Sequence, residues 1–557
     1  MNDIVRELLT KRGLTDPEEI REFLDPHPRT AYDPRLLYGM QEAVSVILAA
    51  VQRGDKIVVY GDYDADGVTA TVIMMTILRA LGAKAPSFYI PSRFDEGYGL
   101  NEQAIVKLAD LGVDMIITVD CGAVSYFEVE TAKEYGIQVV VTDHHNCADG
   151  VADTIVLDPK QEGETYPYRD LAGCGVAYKL ALALRDAAGL DKKITNDLLD
   201  MVAIGTVADV VPLTGENRSL VKYGLRKINT GSRIGLNMLI DRIYRKNGDP
   251  GNRRYPVDAG RIGFGIGPHV NAAGRMEDAS LGVRLFLAKT PEEAYPYVEK
   301  MRTLNEERKS IQDRTERHIL AYCAEELEHD LFPVLVPQTS HEGTNGVVAG
   351  RLRERFHKPV AILAGSQEEY YTATCRGIEG LDLHAVLSTQ SHLFERFGGH
   401  AMACGFTIRK EYVSALKEGL EAVMKEILLA QPSLFEKHVP YDMILQPEQI
   451  DLPLAEELQL LAPFGKDNPN PAFLLESVKL QEYDVIGNGR ALRLRIASAH
   501  GGVAGICFGS EEKISKMAEL CRTADRLQIT AHIDINEFNG RKSVQLMIVD
   551  ISENKQE

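Results

Sequence analysis

The sequence predicts an α/β fold built on a parallel sheet, and three observations support this. Short apolar runs beginning at Ile57, Val113 and Ile137 have the length and β-branched content of buried strands. Each run ends in acid: Asp62, Asp64 and Asp66 after the first, Asp120 after the second, and Asp143-His144-His145 after the third. Amphipathic segments of helical length separate them. Strand–helix–strand alternation makes a parallel sheet, which places ligands at the carboxyl ends of its strands, so these acids share one edge.

Bulk properties bound the rest. A chain of 557 residues with 45% hydrophobic content holds three or four domains with ample core. Its eight cysteines form no CxxC pair, which argues for reduced thiols and against a zinc ribbon. No signal peptide opens the chain and no apolar run reaches membrane-spanning length, so a cytoplasmic protein is expected. The net charge of −19 is unusual for a nucleic-acid enzyme, because phosphate contacts call for basic surface. A metal cluster would absorb several acids, and a local Lys/Arg channel on an acidic body would hold a strand.

In chain order, residues 1–40 contain two short amphipathic segments, MNDIVRELLTKRGL and PEEIREFLDP, which read as an N-terminal helical cap. The sheet domain begins at 41. In it, IVVYGDYDADG puts three carboxylates into five residues on what reads as an extended loop, where alternate Asp side chains can share hard cations. A calcium loop looks similar, but the EF-hand form needs a Glu six residues past the glycine, and the continuation VTATVI is apolar. Taken alone, the loop also reads as a solvated acidic turn. A helix from Val68 to Leu81 should pack behind it, with Met74, Met75 and Leu78 in the core. Asp209, in MVAIGTVADVVPL, is a carboxylate in an apolar segment, costly to bury without a partner. It can face the same cations; singly, Asp120 and Asp209 read equally as capping or salt-bridged residues.

From about 221 to 290 the pattern turns helical and Gly-rich. GIGPHVNAAGR sets His269, Asn271 and Arg275 among small residues that let backbone approach a phosphate, although a lone Arg is ordinarily a surface ion pair. Residues 291–327 are charged nearly all round, as in a helix that connects domains. Residues 328–430 begin a second α/β pattern, with strands at LFPVLVP and PVAILAG and a helix at GVVAGRLRERF. FERFGGHAMACGF reads as a turn in which Gly398 and Gly399 expose amides beside His400. Over 440–552, five short strands separated by Gly and Asn turns suggest a small OB-type β-barrel with Arg493 and Arg495 on one face. A generic docking barrel would read the same way.

The Asp143-His144-His145 triplet on an acid-edged sheet resembles the DHH phosphoesterases. YIPSRFDEGYGL, LAGCGVAYKL, GPHVNAAGR, GVVAGRL, FGGHAMACGF and LLAPFGKDNPNPAF are similar, in that order, to the RecJ-type single-strand-specific exonucleases of that superfamily. Shorter DHH phosphodiesterases lack the first and the last of these stretches. The resemblance implies a DHH catalytic domain over 41–290, a DHH-associated substrate-binding domain over 328–430 and an OB-fold nucleic-acid-binding domain over 440–552. It implies two divalent cations bridged by Asp120, with Asp62 and Asp64 on one, Asp66, His144 and Asp209 on the other, and His145 on the scissile phosphate. Mixed carboxylate and imidazole donors put Mn²⁺ ahead of Mg²⁺.

The activity implied is 5′-to-3′ hydrolysis of single-stranded DNA to 5′-mononucleotides, in DNA repair and recombination. The same resemblance places Arg93, Thr374 and Arg376 on a terminal 5′-phosphate and stacks Tyr98 on a base near the cut. It puts His269, Asn271, Arg275, Arg351 and His400 against the nucleic acid. Thr374 stands where Ser is usual, with the hydroxyl kept. Tyr483, Phe508 and Phe538 are candidates for stacking in the last domain. Single-strand-binding protein and a helicase are the implied partners, and a monomer the implied state. Two other readings compete. A phosphodiesterase of very short RNAs or cyclic dinucleotides is disfavoured by the C-terminal barrel and RFDEGYGL, and a catalytically dead scaffold by the intact acids. Cys121, beside Asp120, reads as a packed thiol.

Overall fold

Apolar runs too short for helices become strands. β1 (Ile57–Gly61), β2 (Ser87–Tyr89), β3 (Met115–Val119), β4 (Gln138–Thr142) and β5 (Ile155–Leu157) pair in the order β2-β1-β3-β4-β5, all parallel. Of these, β1 and β3 are buried along their whole length and the edge strand β2 is not. The computed structural model describes residues 1–26, 31–93, 96–97, 99–147, 150–231, 233–245, 256–338, 340–365, 369–436, 439–499, 501–538 and 540–553. On one face Val58, Tyr60, Ile116, Val139 and Val141 pack against Ile105 and Leu108 of helix Glu102–Asp110 and Val129 and Ala132 of helix Tyr126–Glu134. Helix Ala65–Ala80 is buried except at Thr76, Arg79 and Ala80, as a helix apolar all round must be. It packs on helices Gly173–Ala187 and Leu199–Ala208. It starts three residues before the expected Val68, because Asp64 caps it.

A second sheet holds β6 (Val334–Leu335), β7 (Val360–Gly365), β8 (Tyr370–Arg376), β9 (Phe394–His400) and β10 (Ala403–Arg409) in the order β6-β7-β8-β10-β9. Helix Glu342–Phe356 contacts β7 and β8. Two features depart from expectation. YYTATCR forms a strand, and Gly398 and Gly399 lie in β9 instead of a turn, pairing with Gly405 and Cys404 of β10. β9 is the edge strand of this sheet, so the two consecutive amides point alternately toward β10 and away from it, and the actual turn of the hairpin is at 401–402.

The third sheet is mixed, with seven strands where five were expected. β11 (Met443–Ile444), β12 (Ala472–Val478), β13 (Leu480–Ile486), β14 (Ala491–Ile496), β15 (Val503–Phe508), β16 (Leu527–Phe538) and β17 (Arg541–Glu553) run in the order β11-β12-β16-β17-β15-β14-β13. β15 and β17 pair in parallel because helix Glu511–Thr523 crosses between β15 and β16, an element the strand reading missed. The N-terminal helices Asp3–Lys11 and Pro17–Leu24 lie within the expected cap, yet Val5, Leu8 and Leu9 belong to this sheet's core, with Leu454, Leu458 and Phe473. Buried Arg218 ties the parts together. Its guanidinium donates to the carbonyls of Phe23, Leu461 and Leu460 at 2.8 to 3.1 Å and lies 3.9 Å from the centre of the Phe23 ring.

Two compact units divide the chain. One comprises Met1–Pro268, Phe286–Pro291 and Val439–Glu557; the other His269–Leu285 and Glu292–His438. The division precedes the boundary expected at 290, so GPHVNAAGR straddles it. The long helix, Pro291–Tyr322, lies almost wholly in the second unit. Among the described residues no helix is long and apolar enough to cross a membrane.

Candidate metal centre and substrate residues

Because the first sheet is parallel, the acids that end its strands meet at one edge. β1 runs into Asp62. Asp64 then caps helix Ala65–Ala80, its Oδ1 accepting from the N–H groups of Asp66 at 2.8 Å and Gly67 at 3.1 Å. Asp66 therefore sits in the first helical turn, and the three carboxylates do not share an extended loop as the alternation suggested. A methyl group on residue 67 would lie 2.5 Å from the Asp62 carbonyl oxygen, so the turn closes only over glycine. After β3, Asp120 turns into the left-handed region with φ 63°, a conformation that Asp tolerates. Asp209 does not follow a strand; it closes helix Leu199–Ala208.

One donor atom from each residue lies within 4.8 Å of the others in three overlapping groups. These are Asp62, Asp64 and Asp120; Asp66, His144 and Asp209; and Asp120, His144 and His145. The His144 Nε2 is 3.1 Å from Asp120 Oδ1, 3.6 Å from Asp209 Oδ2 and 3.9 Å from Asp66 Oδ2. All seven predicted residues thus converge, with Asp120 and His144 at the overlaps.

The electrostatics call for positive charge. Burial, then repulsion from Asp64, lifts the Asp62 carboxyl to about 8. Burial with Asp66 and Asp64 lifts Asp209 to about 8, and burial with Asp66 and the other acids raises Asp120 well above the usual range. Burial, then His145, lowers the His144 imidazole to about 3, so it stays neutral and keeps a lone pair to donate. Asp62 Oδ1 is buried without a hydrogen-bond partner. Close-set carboxylates of this kind cannot all ionise unless cations are added, and mixed oxygen and imidazole donors suit Mn²⁺ or Mg²⁺. The residues present therefore fit two divalent ions.

Several supporting residues were not singled out from sequence. The first amides of helix Gly173–Ala187 hold Asp66, with Gly173 N–H donating to Oδ2 at 2.7 Å and Cys174 N–H to Oδ1 at 3.0 Å. These bonds moderate the rise of its pKa, which burial and Asp64 still bring to about 6. Any side chain at Gly173 would collide with the Asp120 carboxylate, which gives LAGCGVAYKL its purpose. Asp143 belongs to none of the donor groups. Its Oδ1 is 2.7 Å from His145 Nδ1 and its Oδ2 accepts from Ala123 N–H at 2.9 Å. Burial opposes protonation of His145, but the Asp143 bond and the nearby acids lift it to about 9. Lys160 Nζ donates to the His144 carbonyl at 2.6 Å. Asp158 is buried and raised to about 7 by burial and Asp143. TIVLDP was a further strand-to-acid transition that could have flagged it. Cys121 is buried, and burial pushes its thiol well above the usual range, so it is inert.

The predicted substrate residues are distributed unevenly. Arg93 lies 5.2 Å from the centre of the Tyr63 ring, and its charge acts on Asp62; Tyr98 lies outside the described residues. In the second unit, His269 Nε2 is 3.0 Å from Asn305 Nδ2, whose Oδ1 accepts from Arg308. Asn271 is half-buried on the same helix, Gly267–Met276, and Arg275 donates to the Gly343 carbonyl at 3.2 Å. Thr374, Arg376 and His400 share the second sheet: Arg376 pairs with Ala403, which pairs with His400. Gly346 makes room for the Arg376 guanidinium. Arg351 is instead committed to Asp313 at 3.0 Å and Glu316 at 2.9 Å, a surface ion pair that competes with its expected nucleic-acid role.

Comparison with known proteins follows the same division. Residues 56–206 match the DHH family, N-terminal domain; 332–427 the DHHA1 domain; and 441–550 the RecJ OB domain. The chain is 36% identical to the single-stranded-DNA-specific exonuclease RecJ of Bacillus subtilis, over 98% of this chain and 67% of that protein. It is 32% identical to the RecJ of Escherichia coli, over 98% and 95%. The crystal structure of RecJ in complex with Mn²⁺ from Thermus thermophilus superposes with a TM-score of 0.81 at 29% identity, covering 99% of this chain and 76% of that one.

Proposed function

The chain belongs to the RecJ family of single-stranded-DNA-specific exonucleases, and on that premise we propose that it degrades single-stranded DNA from the 5′ end to 5′-mononucleotides. It is a metal-dependent phosphodiesterase of the DHH type. The observation that carries the reading is the overlap of the donor groups at Asp120 and His144, which suits two adjacent ions rather than one. Asp62 and Asp64 would hold one ion, Asp66, His144 and Asp209 the other, with Asp120 shared. Held there, divalent ions would supply Lewis acidity, making a water more acidic and offsetting the charge that develops when the phosphodiester is hydrolysed.

The chain's own groups do the rest. The amides of Gly173 and Cys174 fix the Asp66 carboxylate. Asp143 anchors Nδ1 of a protonated His145 and so orients Nε2 to donate to a scissile phosphate oxygen. Arg93, Thr374 and Arg376 bind the terminal 5′-phosphate, Tyr98 stacks on a base, and His269, Asn271, Arg275 and His400 contact the nucleic acid; Arg351 does so only after leaving its acids. The cellular setting proposed is DNA repair and recombination in the cytoplasm, as a monomer working with single-strand-binding protein and a helicase. Eight buried free thiols suit a reducing compartment.

The test of polarity is end preference. Arg376→Ala should lower the preference for 5′-phosphorylated over 5′-hydroxyl strands by about tenfold, the worth of one charge-assisted contact. An unchanged preference would remove Arg376 from the end-binding pocket.

A further inference from the structure

Two large apolar side chains stand exposed around the end of the helix that leads into Asp209. Phe264 is 92% exposed and Val210, directly after Asp209, is 62% exposed. Neither position is casual. Val210 holds φ 60°, a left-handed conformation that β-branched residues rarely adopt and that persists only where its surroundings impose it. Phe264 is the middle residue of a π-helical turn, Ile262–Ile266, and such turns recur at functional sites. Ile262 and Ile266 are buried, so the turn is anchored while Phe264 faces outward.

The turn is also seated on the element that carries a predicted metal ligand. A methyl group on Gly263 would lie 3.8 Å from Val207 Cγ1, and one on Gly267 3.2 Å from Ala208 Cβ, so both glycines abut the last turn of the helix that ends at Asp209. Gly265 admits no side chain at all, because Tyr244 fills the space and donates its hydroxyl to the Arg261 carbonyl at 2.8 Å. An exposed aromatic ring is thereby carried on a turn packed against the end of the helix that leads into Asp209.

We propose that Phe264 is a base-stacking subsite, on which one nucleobase of the substrate strand lies while the adjoining phosphate occupies the metal centre. The proposal rests on the single-strand reading above and names a contact that reading does not contain. An exposed ring on a fixed turn suits the π-face of an unpaired base, whatever its identity. A paired base presents no such face, so the subsite adds to selection against duplex.

The chain contains no tryptophan, so Phe264→Trp installs a single fluorescent reporter at the site. Mixed with a 5′-phosphorylated oligothymidylate and Mn²⁺ in stopped flow, its emission should be quenched on binding and recover as the strand is consumed. Phe264→Ala should raise KM for the same strand about tenfold, leave kcat within about twofold and leave the melting temperature unchanged. If the Trp variant degrades the strand without quenching and the Ala variant keeps the parental KM, the subsite is overturned while the nuclease reading stands. If the parent protein degrades no single strand, the nuclease reading itself fails and the subsite fails with it.

Discussion

The carboxyl edge of β1, β3 and β4 and the outer face of β13 and β14 both concentrate charge, to opposite ends. At the edge, Asp62, Asp66 and Asp120 are buried with His144, Asp209 is partly buried beside them, and these acids outnumber the His145 imidazolium that shares their site. On the outer face, Arg493 and Arg495 sit opposite Asp484 and Glu482 across the strand pair, with Arg493 3.4 Å from Asp484 and both exposed. Like charges buried together create a demand that only an added cation meets; opposite charges in water satisfy one another and bind little else. The stripe of arginines expected to grip DNA is therefore matched by acids across the strand pair, whereas the acids expected to hold metal remain in excess over the His145 imidazolium.

The sharpest way to test that contrast is to remove one charge from each region. Asp120→Ala should lower kcat/KM on single-stranded DNA by about a thousandfold or more, several kcal/mol of lost charge stabilisation. Arg493→Ala should change it less than about threefold. Comparable losses in steady-state digestion would erase the distinction.

Acidity gives the next largest effect. Asp62 and Asp209 are lifted to about 8, so between the ordinary carboxylate value and pH 8 the metal-free native chain holds protons that the unfolded chain has released. Its stability must then fall as pH rises through that window. Bound cations reverse the trend, since they need ionised ligands. Mn²⁺ at about a hundred times its Kd should stabilise by about 2.7 kcal/mol, and Mn²⁺ affinity should be higher at about pH 8.5 than at about pH 6. Thermal shift and calorimetry check this; an affinity that does not change with pH would mean the carboxylates are already ionised.

Packing behind the ligands gives a smaller effect. Gly173→Ala forces a methyl against the Asp120 carboxylate and should cost about 1–3 kcal/mol, with Mn²⁺ binding weakened at least tenfold. Smallest of all, a double-mutant cycle on Arg493 and Asp484 should return a coupling below about 0.5 kcal/mol. A larger value would make the outer face a built network.

How much was legible follows from how local each signal is. Asp62, Asp64, Asp120 and His144 could be read because a strand that ends in acid is a pattern of consecutive residues. Asp209 was legible as a costly carboxylate, but its place at a helix end was not, since an apolar segment gives no period to choose between strand and helix. The two amides on Asp66 and the carboxylate behind His145 were hidden, because backbone donors and ligand orientation arise from contacts about a hundred residues apart or from side-chain rotation. GGH reads wrongly as a turn because glycines are common both at turns and where a hairpin crowds its own backbone. The N-terminal helices showed an apolar stripe, and nothing in that stripe names the C-terminal sheet as its partner.

The claim that this acid edge is a two-cation nuclease is tested most directly by digesting a long, 3′-labelled, 5′-phosphorylated single strand with Mn²⁺ or with chelator, beside a duplex and an Asp120→Ala control. Shortening from the 5′ end of the single strand alone, abolished by chelator and by the substitution, is the predicted result. Activity that survives chelation or the loss of Asp120, or equal digestion of the duplex, would contradict it.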